Sequence, residues 1–539
     1  MYLRGLAMTK PSEEQAEVIA YDGSAVVSAR PGCGKTFTMA RMIAKAVGEL
    51  ANYQGVIAIS YTRKASDELK GRCAKLGVMT GSSFFGTIDG FCLGMIVQQF
   101  AAHVVGRKVE VKVADDDCFA LDSPLKERWT ERDEDRWGLV REALGAGELP
   151  ISALSEVAYC MVKHVPAVRT FLRARYTAVF IDEYQDCDLA QHMLFQELVG
   201  LGIRGVAFGD MDQAIFAYDG RPPAFLGELI ESPGFKAFSI TENRRCHKSI
   251  VDYSLALLSN SVSESPCEDK RVFIAKVAGD ESGISAAICS HVDAIGKRFA
   301  VASRNEFALI ARSKSTLERF EGLLSIPTKR VLPTKFDQGS SRPRAFFRDL
   351  LAFLYTEGYA GDFVERYISP ELRHRDSLEA KDLVQRLMDT PDDSWGKRWD
   401  VFCRLKQLCL TCPDDPDVWI DLEEVLSDIN LLRGGFQPAG KDEVNLLTYH
   451  KSKGLEFDVV FCLDCYEYIM PPYKYEREVY DAYRESLNMH YVGLTRARRA
   501  CYILLADFRH NSKGKRFDAV PSRFLCRPGL KELCCEIQW

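Results

Sequence analysis

Along both ends of the chain, short apolar runs rich in β-favouring residues alternate with stretches whose apolar positions recur every three to four residues. Ala25–Ala29 (AVVSA), Val56–Tyr61 (VIAISY), Ala178–Ile181 (AVFI), Gly205–Phe208 (GVAF), Asn445–Thr448 (NLLT) and Asp458–Leu463 (DVVFCL) are the strand candidates. Strands alternating with amphipathic helices are the pattern of βα units, so the reading is an α/β protein built on parallel sheets. Each candidate strand ends in a polar motif, and open α/β sheets bind ligands beyond the carboxyl ends of their strands. Residues 93–171 and 346–440 differ in being richer in helical periodicity, charge and proline, and are read as two mainly helical insertions. There are no fixed-period repeats or low-complexity tracts.

Composition narrows this picture without naming a function. With 539 residues, 47% of them hydrophobic, the chain is long enough for about three or four domains. No apolar run approaches the roughly 20 residues that span a bilayer, and the N-terminus lacks a long apolar core with a cleavage site, so a cytoplasmic location without membrane contact is expected. The 18 cysteines are scattered through apolar segments, which favours free thiols in a reducing compartment. The C-x-x-C spacings at Cys409/Cys412 and Cys462/Cys465, with Cys403 nearby, are read as buried thiols rather than a metal centre. A net charge of −6 means that any nucleic-acid path must be a local basic groove.

Chemistry enters at Ala29-Arg30-Pro31-Gly32-Cys33-Gly34-Lys35-Thr36, between a strand and the helical pattern Thr36–Val47. This is a Walker A loop, with Ala29 in place of the usual leading glycine. Gly32 and Gly34 allow backbone N–H groups to approach phosphate oxygens, and the helix that follows adds its positive N-terminal end. Lys35 would neutralise the β- and γ-phosphates, and the Thr36 hydroxyl would bind Mg²⁺. A second apolar strand ends in Asp182-Glu183, the Walker B arrangement. Asp182 would hold Mg²⁺ and Glu183 would orient and deprotonate the attacking water. Adjacent carboxylates after an apolar run repel unless a cation compensates them, which argues against a chance surface pair.

The motifs around these two resemble those of the UvrD/Rep/PcrA group of superfamily 1 DNA helicases, in family order and over nearly the whole chain. Asp182–Asp186 (DEYQD) resembles DExQD, Tyr61–Ala65 (YTRKA) resembles FTNKA, and Gly86–Phe91 (GTIDGF) resembles GTFHSF. Gly209–Phe216 (GDMDQAIF) is similar to GDxDQSIY, Asn243–Cys246 (NRRC) to NYRS, and Ala308–Arg312 (ALIAR) to AVLYR. Thr448–Phe457 (TYHKSKGLEF), Tyr491–Arg498 (YVGLTRAR) and Pro521–Leu525 (PSRFL) complete the series.

The resemblance implies two RecA-like parallel-sheet domains with ATP between them. The first comprises 1–92 and 172–241 with 93–171 inserted, the second 242–345 and 441–539 with a reduced insertion at 346–440. It implies that Gln15 reads adenine, Gln213 senses the γ-phosphate, Glu456 meets the ribose, and Arg245 and Arg496 act as arginine fingers. Surface ion pairing is the competing reading for both arginines. On the strand side it implies stacking by Tyr61 and Tyr218, and backbone contacts by Thr62, Thr87, Arg312 and His450. For a lone tyrosine or histidine, packing in a core competes. Arg244 replaces a tyrosine that stacks on adenine, a task a planar guanidinium can also perform. Asp219 replaces an arginine, and Asp89-Gly90 replaces His-Ser.

The resulting expectation is an ATP- and Mg²⁺-dependent 3′–5′ helicase acting on single-stranded DNA and on its junctions with duplex. The competing class is a nucleotide-gated DNA-binding regulatory ATPase that separates no strands. The residues after PSRFL are too few for a fused nuclease, and the small insertions motivate a further expectation, a separate protein partner such as a nuclease, in DNA repair or phage defence.

Overall fold

The computed structural model describes residues 10–539 except 115–118, 120–124, 216–223, 338–341, 369–372, 411–415, 473–479 and positions 49, 79, 110, 126, 128, 133–134, 260, 333, 357 and 366. It is α/β, with two parallel sheets and two mainly helical insertions. The first sheet has six strands, in the order Phe84–Gly86, Gly55–Ile59, Tyr176–Ile181, Arg204–Gly209, Ala25–Ala29, Lys236–Ile240. The second has seven, in the order Thr328–Arg330, Val444–Thr448, Phe307–Ala311, Phe457–Cys462, Ala497–Ala506, Val272–Val277, Cys535–Gln538. Every pairing in both is parallel.

Helices cover both faces of each sheet, so successive side chains of one strand enter opposite cores. Val26, Ile57, Ile59, Val179 and Ile181 point into one cluster, while Val27, Ala58, Phe180 and Phe208 point into the other. The second sheet is divided in the same way, with Ile310, Val460 and Ile503 on one side and Leu309, Phe461 and Leu504 on the other. Burial on both faces is why these strands read as apolar runs.

All six strand candidates are present, Ala25–Ala29 with the expected ends and the other five with shifted ends. The run expected to reach Tyr61 stops at Ile59, because Thr62 accepts a hydrogen bond from the Ala65 N–H at 3.2 Å and starts the next helix as its cap. The edge strand Lys236–Ile240 has only Ile240 buried and so leaves little apolar signal.

The two insertions are built differently. Helix Leu154–His164 buries every residue from Leu154 to Val162 and shares its core with the first sheet. The helices from Arg342–Leu354 to Ile429–Phe436 instead surround a core of their own, centred on Phe346, Leu350, Phe363, Phe402 and Leu422. The helical run Ile88–Val105 is an exception to the expected lack of long apolar segments, since its 18 residues could cross a membrane by length and composition. Phe91, Cys92, Ile96, Val97 and Ala101 on that run are buried in the first core, and Leu93, Met95 and Phe100 pack against it partly buried.

Candidate nucleotide and nucleic-acid site

Strand Ala25–Ala29 lies between Arg204–Gly209 and Lys236–Ile240, and its carboxyl end delivers the Walker A loop. Gly32 (φ +76°) and Gly34 (φ +80°) both occupy the left-handed region, where a side chain is strained. A Cβ on Gly32 would stand 2.7 Å from both Arg245 Cβ and Asn243 Oδ1, and one on Gly34 would stand 2.7 Å from Gln15 Nε2. These glycines therefore admit neighbouring side chains as well as shaping the turn. Gln15, fixed in a capping box with Ser12, donates from Nε2 to the Cys33 carbonyl at 2.9 Å. Thr36 follows Lys35 in the first turn of helix Lys35–Val47. Ala29 and Cys33 are buried, while Arg30 and Thr36 are half-buried.

Lys35 Nζ sits 3.0 Å from Glu183 Oε1, joining the two phosphate-site motifs. Burial opposes the Lys35 charge, but Glu183, Asp182 and Asp210 together hold its pKa above the ordinary value. Glu183 has φ +53°, a left-handed conformation for a non-glycine residue, and its backbone N–H donates to Asp182 Oδ1 at 2.9 Å. Such strain persists only where the surroundings fix it. Here Gln185 Nε2 donates to Glu183 Oε2 at 2.5 Å, and Gln185 Oε1 accepts from the Asp210 N–H at 3.0 Å. Burial pushes the Asp182 carboxyl above its usual range, and the adjacent Glu183 adds to the shift. Burial alone would raise Glu183 as well, but Lys35 and Lys453 hold it below. Thr36 and Asp182 are hard oxygen donors of the kind that suits Mg²⁺.

Side chains that follow the last strand of the first sheet, from Asn243 onward, close this cleft. Arg496, 2% exposed, donates to the carbonyls of Val492 (3.0 Å) and Leu455 (3.2 Å) and reaches Gln213 Oε1 at 3.3 Å. Burial, then the charge of Arg245, brings its pKa down to about 10. Arg245 pairs with Glu456 at 2.5 Å. Asn243 Nδ2 donates to the Pro31 carbonyl at 2.6 Å, and the Arg244 N–H to the Gly32 carbonyl at 3.0 Å. The Arg244 guanidinium turns away from the loop, to Glu242 and the Lys10 carbonyl. Two cross-cleft contacts fall on residues that motif reading assigned no role. Lys453 meets Asp186 at 2.5 Å, and Arg484 meets Asp212 at 2.7 Å.

Known families match this arrangement in both halves. The UvrD/REP helicase N-terminal domain matches residues 10–146 and 139–231, and the UvrD-like helicase C-terminal domain matches residues 384–507. The chain belongs to the UvrD-like helicases. This is a family of ATP-dependent DNA helicases, and similar proteins include the Gabija protein GajB of Bacillus cereus, 23% identical over 92% of this chain and 95% of that one. ATP-dependent DNA helicase PcrA of Bacillus subtilis is 21% identical over 92% and 82% of the two chains. ATP-dependent DNA helicase UvrD1 of Mycobacterium tuberculosis is 22% identical over 95% and 84%. The PcrA alignment runs to 615 positions against 539 residues here, so that relative carries segments this helicase lacks.

The strand-side residues fall into two equivalent pairs. Thr62 and Thr87 follow the paired strands Gly55–Ile59 and Phe84–Gly86, and each hydroxyl caps a helix. Arg312 and His450 follow the paired strands Phe307–Ala311 and Val444–Thr448. All four thus stand at the carboxyl edges of the helicase's two sheets. Arg312 lines a cleft of about 430 Å³ with Ser313, Thr316, Tyr468, Arg509 and Asn511. Tyr61 is 43% exposed. His450 is half-buried and hydrogen-bonds the backbone of Ile215, and burial lowers its pKa to about 4. Tyr218 and Asp219 lie outside the described residues.

Among the described residues no two cysteines form a disulfide. Cys465 Sγ lies 3.9 Å from His490 Nε2, a neighbour in space that sequence distance hid, and Cys462 Sγ lies 3.7 Å from Cys501 Sγ. Among the described residues the one group with converging ligand atoms is Asp280, Glu281 and His510. Glu281 there already accepts from Arg319 and from the His510 backbone, as in an ion-pair network.

Proposed function

We propose that this helicase hydrolyses ATP between its two sheets and thereby moves 3′ to 5′ along single-stranded DNA, opening duplex at junctions. The observation that carries the reading is the meeting of Arg496 with Gln213 beside the Lys35–Glu183 pair. In this reading Gln15 reads adenine and Glu456 meets the ribose. Residues 29–36 wrap the phosphates, with Lys35 neutralising them and Thr36 and Asp182 holding Mg²⁺. Glu183 takes the proton of the attacking water once phosphate replaces it as the partner of Lys35. Gln213, Arg245 and Arg496 meet the γ-phosphate only when the cleft is shut, which ties hydrolysis to closure. Arg244, held by Glu242, supplies at most an edge contact to the base.

DNA then runs across the carboxyl edges of both sheets, past Tyr61, Thr62, Thr87, Arg312 and His450, with Tyr218 as a stacking candidate. Backbone contact plus base stacking suits movement without sequence preference. The division into 1–92, 93–171, 172–241, 242–345, 346–440 and 441–539 follows from the same reading. So does a cytoplasmic protein in which Ile88–Val105 serves as a core helix.

The reduced segment 346–440 and the acidic Asp89 favour a second reading, a nucleotide-gated regulatory ATPase that separates no strands. The reduced segment 346–440 also favours action beside a protein partner, such as a nuclease in defence. A forked DNA substrate decides between the motor and the switch. Strand separation that disappears in Lys35→Ala supports the motor, whereas ATP turnover without strand separation or movement supports the switch.

A further inference from the structure

Lys453 of the TYHKSKGLEF segment reaches into the opposite half, and its ammonium touches two motifs there. It pairs with Asp186 at 2.5 Å and donates to the Gln213 carbonyl at 3.0 Å. The lysine and aspartate side chains are 9% and 1% exposed. A charge pair this deep is held by geometry, and removing one partner strands the other.

Both ends of the link lead to functional candidates. On one side the Asp186 N–H donates to the Glu183 carbonyl at 3.0 Å, and the neighbouring Gln185 grips the Glu183 carboxylate at 2.5 Å. Asp186 therefore belongs to the same short turn, Tyr184–Asp186, that fixes Glu183 in its left-handed conformation. On the other side the Lys453 N–H donates to the His450 carbonyl at 3.2 Å. His450 lies in the single turn Tyr449–Ser452, which Thr448 caps at the end of its strand. Only this turn separates a residue facing the DNA path from a residue gripping the hydrolytic loop.

We propose that Lys453 is a positioning residue that couples occupancy of the DNA path at His450 to the placement of Glu183 in the ATP site. This rests on the motor reading above. A strand settling against the turn moves residues 448–453 as a unit, and the Lys453–Asp186 pair carries that displacement into the Glu183 turn.

The test is steady-state ATPase of the full chain with and without a single-stranded oligonucleotide, alongside oligonucleotide binding by fluorescence anisotropy. Lys453→Met should cut the ratio of DNA-stimulated to basal kcat by about tenfold or more, with KM for ATP and the oligonucleotide Kd changed by less than about threefold. Lys453→Arg should restore most of the ratio. Asp186→Asn should lower it comparably, and combining it with Lys453→Met should add little. If Lys453→Met does not fold, the near-isosteric Asp186→Asn carries the test. A wild-type ratio retained in that variant, or in a folded Lys453→Met, overturns the coupling role alone. Wild-type protein without any DNA stimulation would overturn both the motor reading and the coupling built on it.

Discussion

Arg496→Lys keeps the positive charge of the cross-cleft contact and removes its shape. The guanidinium donates in three directions, to Val492 O at 3.0 Å, Leu455 O at 3.2 Å and Gln213 Oε1 at 3.3 Å. An ammonium on a flexible stem cannot span all three acceptors, so the charge loses its fixed bearing on Gln213. An arginine finger is worth roughly 10³ to 10⁵ in rate, or about 4 to 7 kcal/mol of transition-state stabilisation. Stability should fall by less, about 1 to 3 kcal/mol for the acceptors left unsatisfied. The expected outcome is a kcat reduced about 10³-fold at saturating ATP and DNA, with nucleotide affinity changed by less than about fivefold. Phosphate-release kinetics give the first quantity, fluorescent-nucleotide titration the second, and thermal melting shows that the variant is folded. A folded variant whose kcat stays within about threefold of wild type would refute the assignment of Arg496 to the transferring phosphate.

Glu183→Gln keeps the Lys35 contact within reach but removes the base, so ATP should still bind while turnover falls by about 10² to 10⁴; a rapid-quench single-turnover assay at normal rate would rule Glu183 out. Gly32→Ala places a methyl group 2.7 Å from Arg245 Cβ and Asn243 Oδ1 at a φ of +76°, so nucleotide affinity should drop at least about tenfold and the melting temperature should fall; calorimetry showing neither would contradict the packing. Burial lowers both His192 and His490 from 6.5 to about 4. Their folded pKa values lie below the unfolded one, so the stability they contribute is complete above pH 6.5 and is lost as pH falls toward 4. At about 1.4 kcal/mol per unit each contributes up to about 3 kcal/mol. Melting temperatures should therefore fall steeply between pH 6.5 and 5, less so in His490→Gln, and a flat profile would contradict this.

The architecture was largely legible because strands buried on both faces advertise themselves as apolar runs, and the fold class follows from their alternation with helices. Ala497–Ala506 escaped notice as a strand because Arg498 and Arg499 head it with charge. Lys236–Ile240 escaped because an edge strand buries little. The shared core of the first insertion was invisible for another reason. Its helix Leu154–His164 reads as an ordinary apolar helix, and nothing local says which sheet it packs against.

In the site, residues that act through backbone and immediate neighbours, such as Gly32, Gly34 and Lys35, are fixed by short motifs. Ties across the cleft are not. Lys453 and Asp186 stand 267 positions apart, so only the fold reveals their pairing. The Glu242 carboxylate that diverts Arg244 is, by contrast, two residues away and was there to be read.

In the motor reading, closing and opening of one nucleotide cleft moves this protein along a strand in one direction. The most direct measurement is stopped-flow translocation on oligonucleotides of increasing length that carry a fluorophore at the 5′ end or the 3′ end. With Mg²⁺ and ATP, the delay before the 5′ signal should lengthen in proportion to strand length, while a 3′ label should show no such delay. A 5′ signal whose timing ignores length, despite steady ATP consumption, would contradict it.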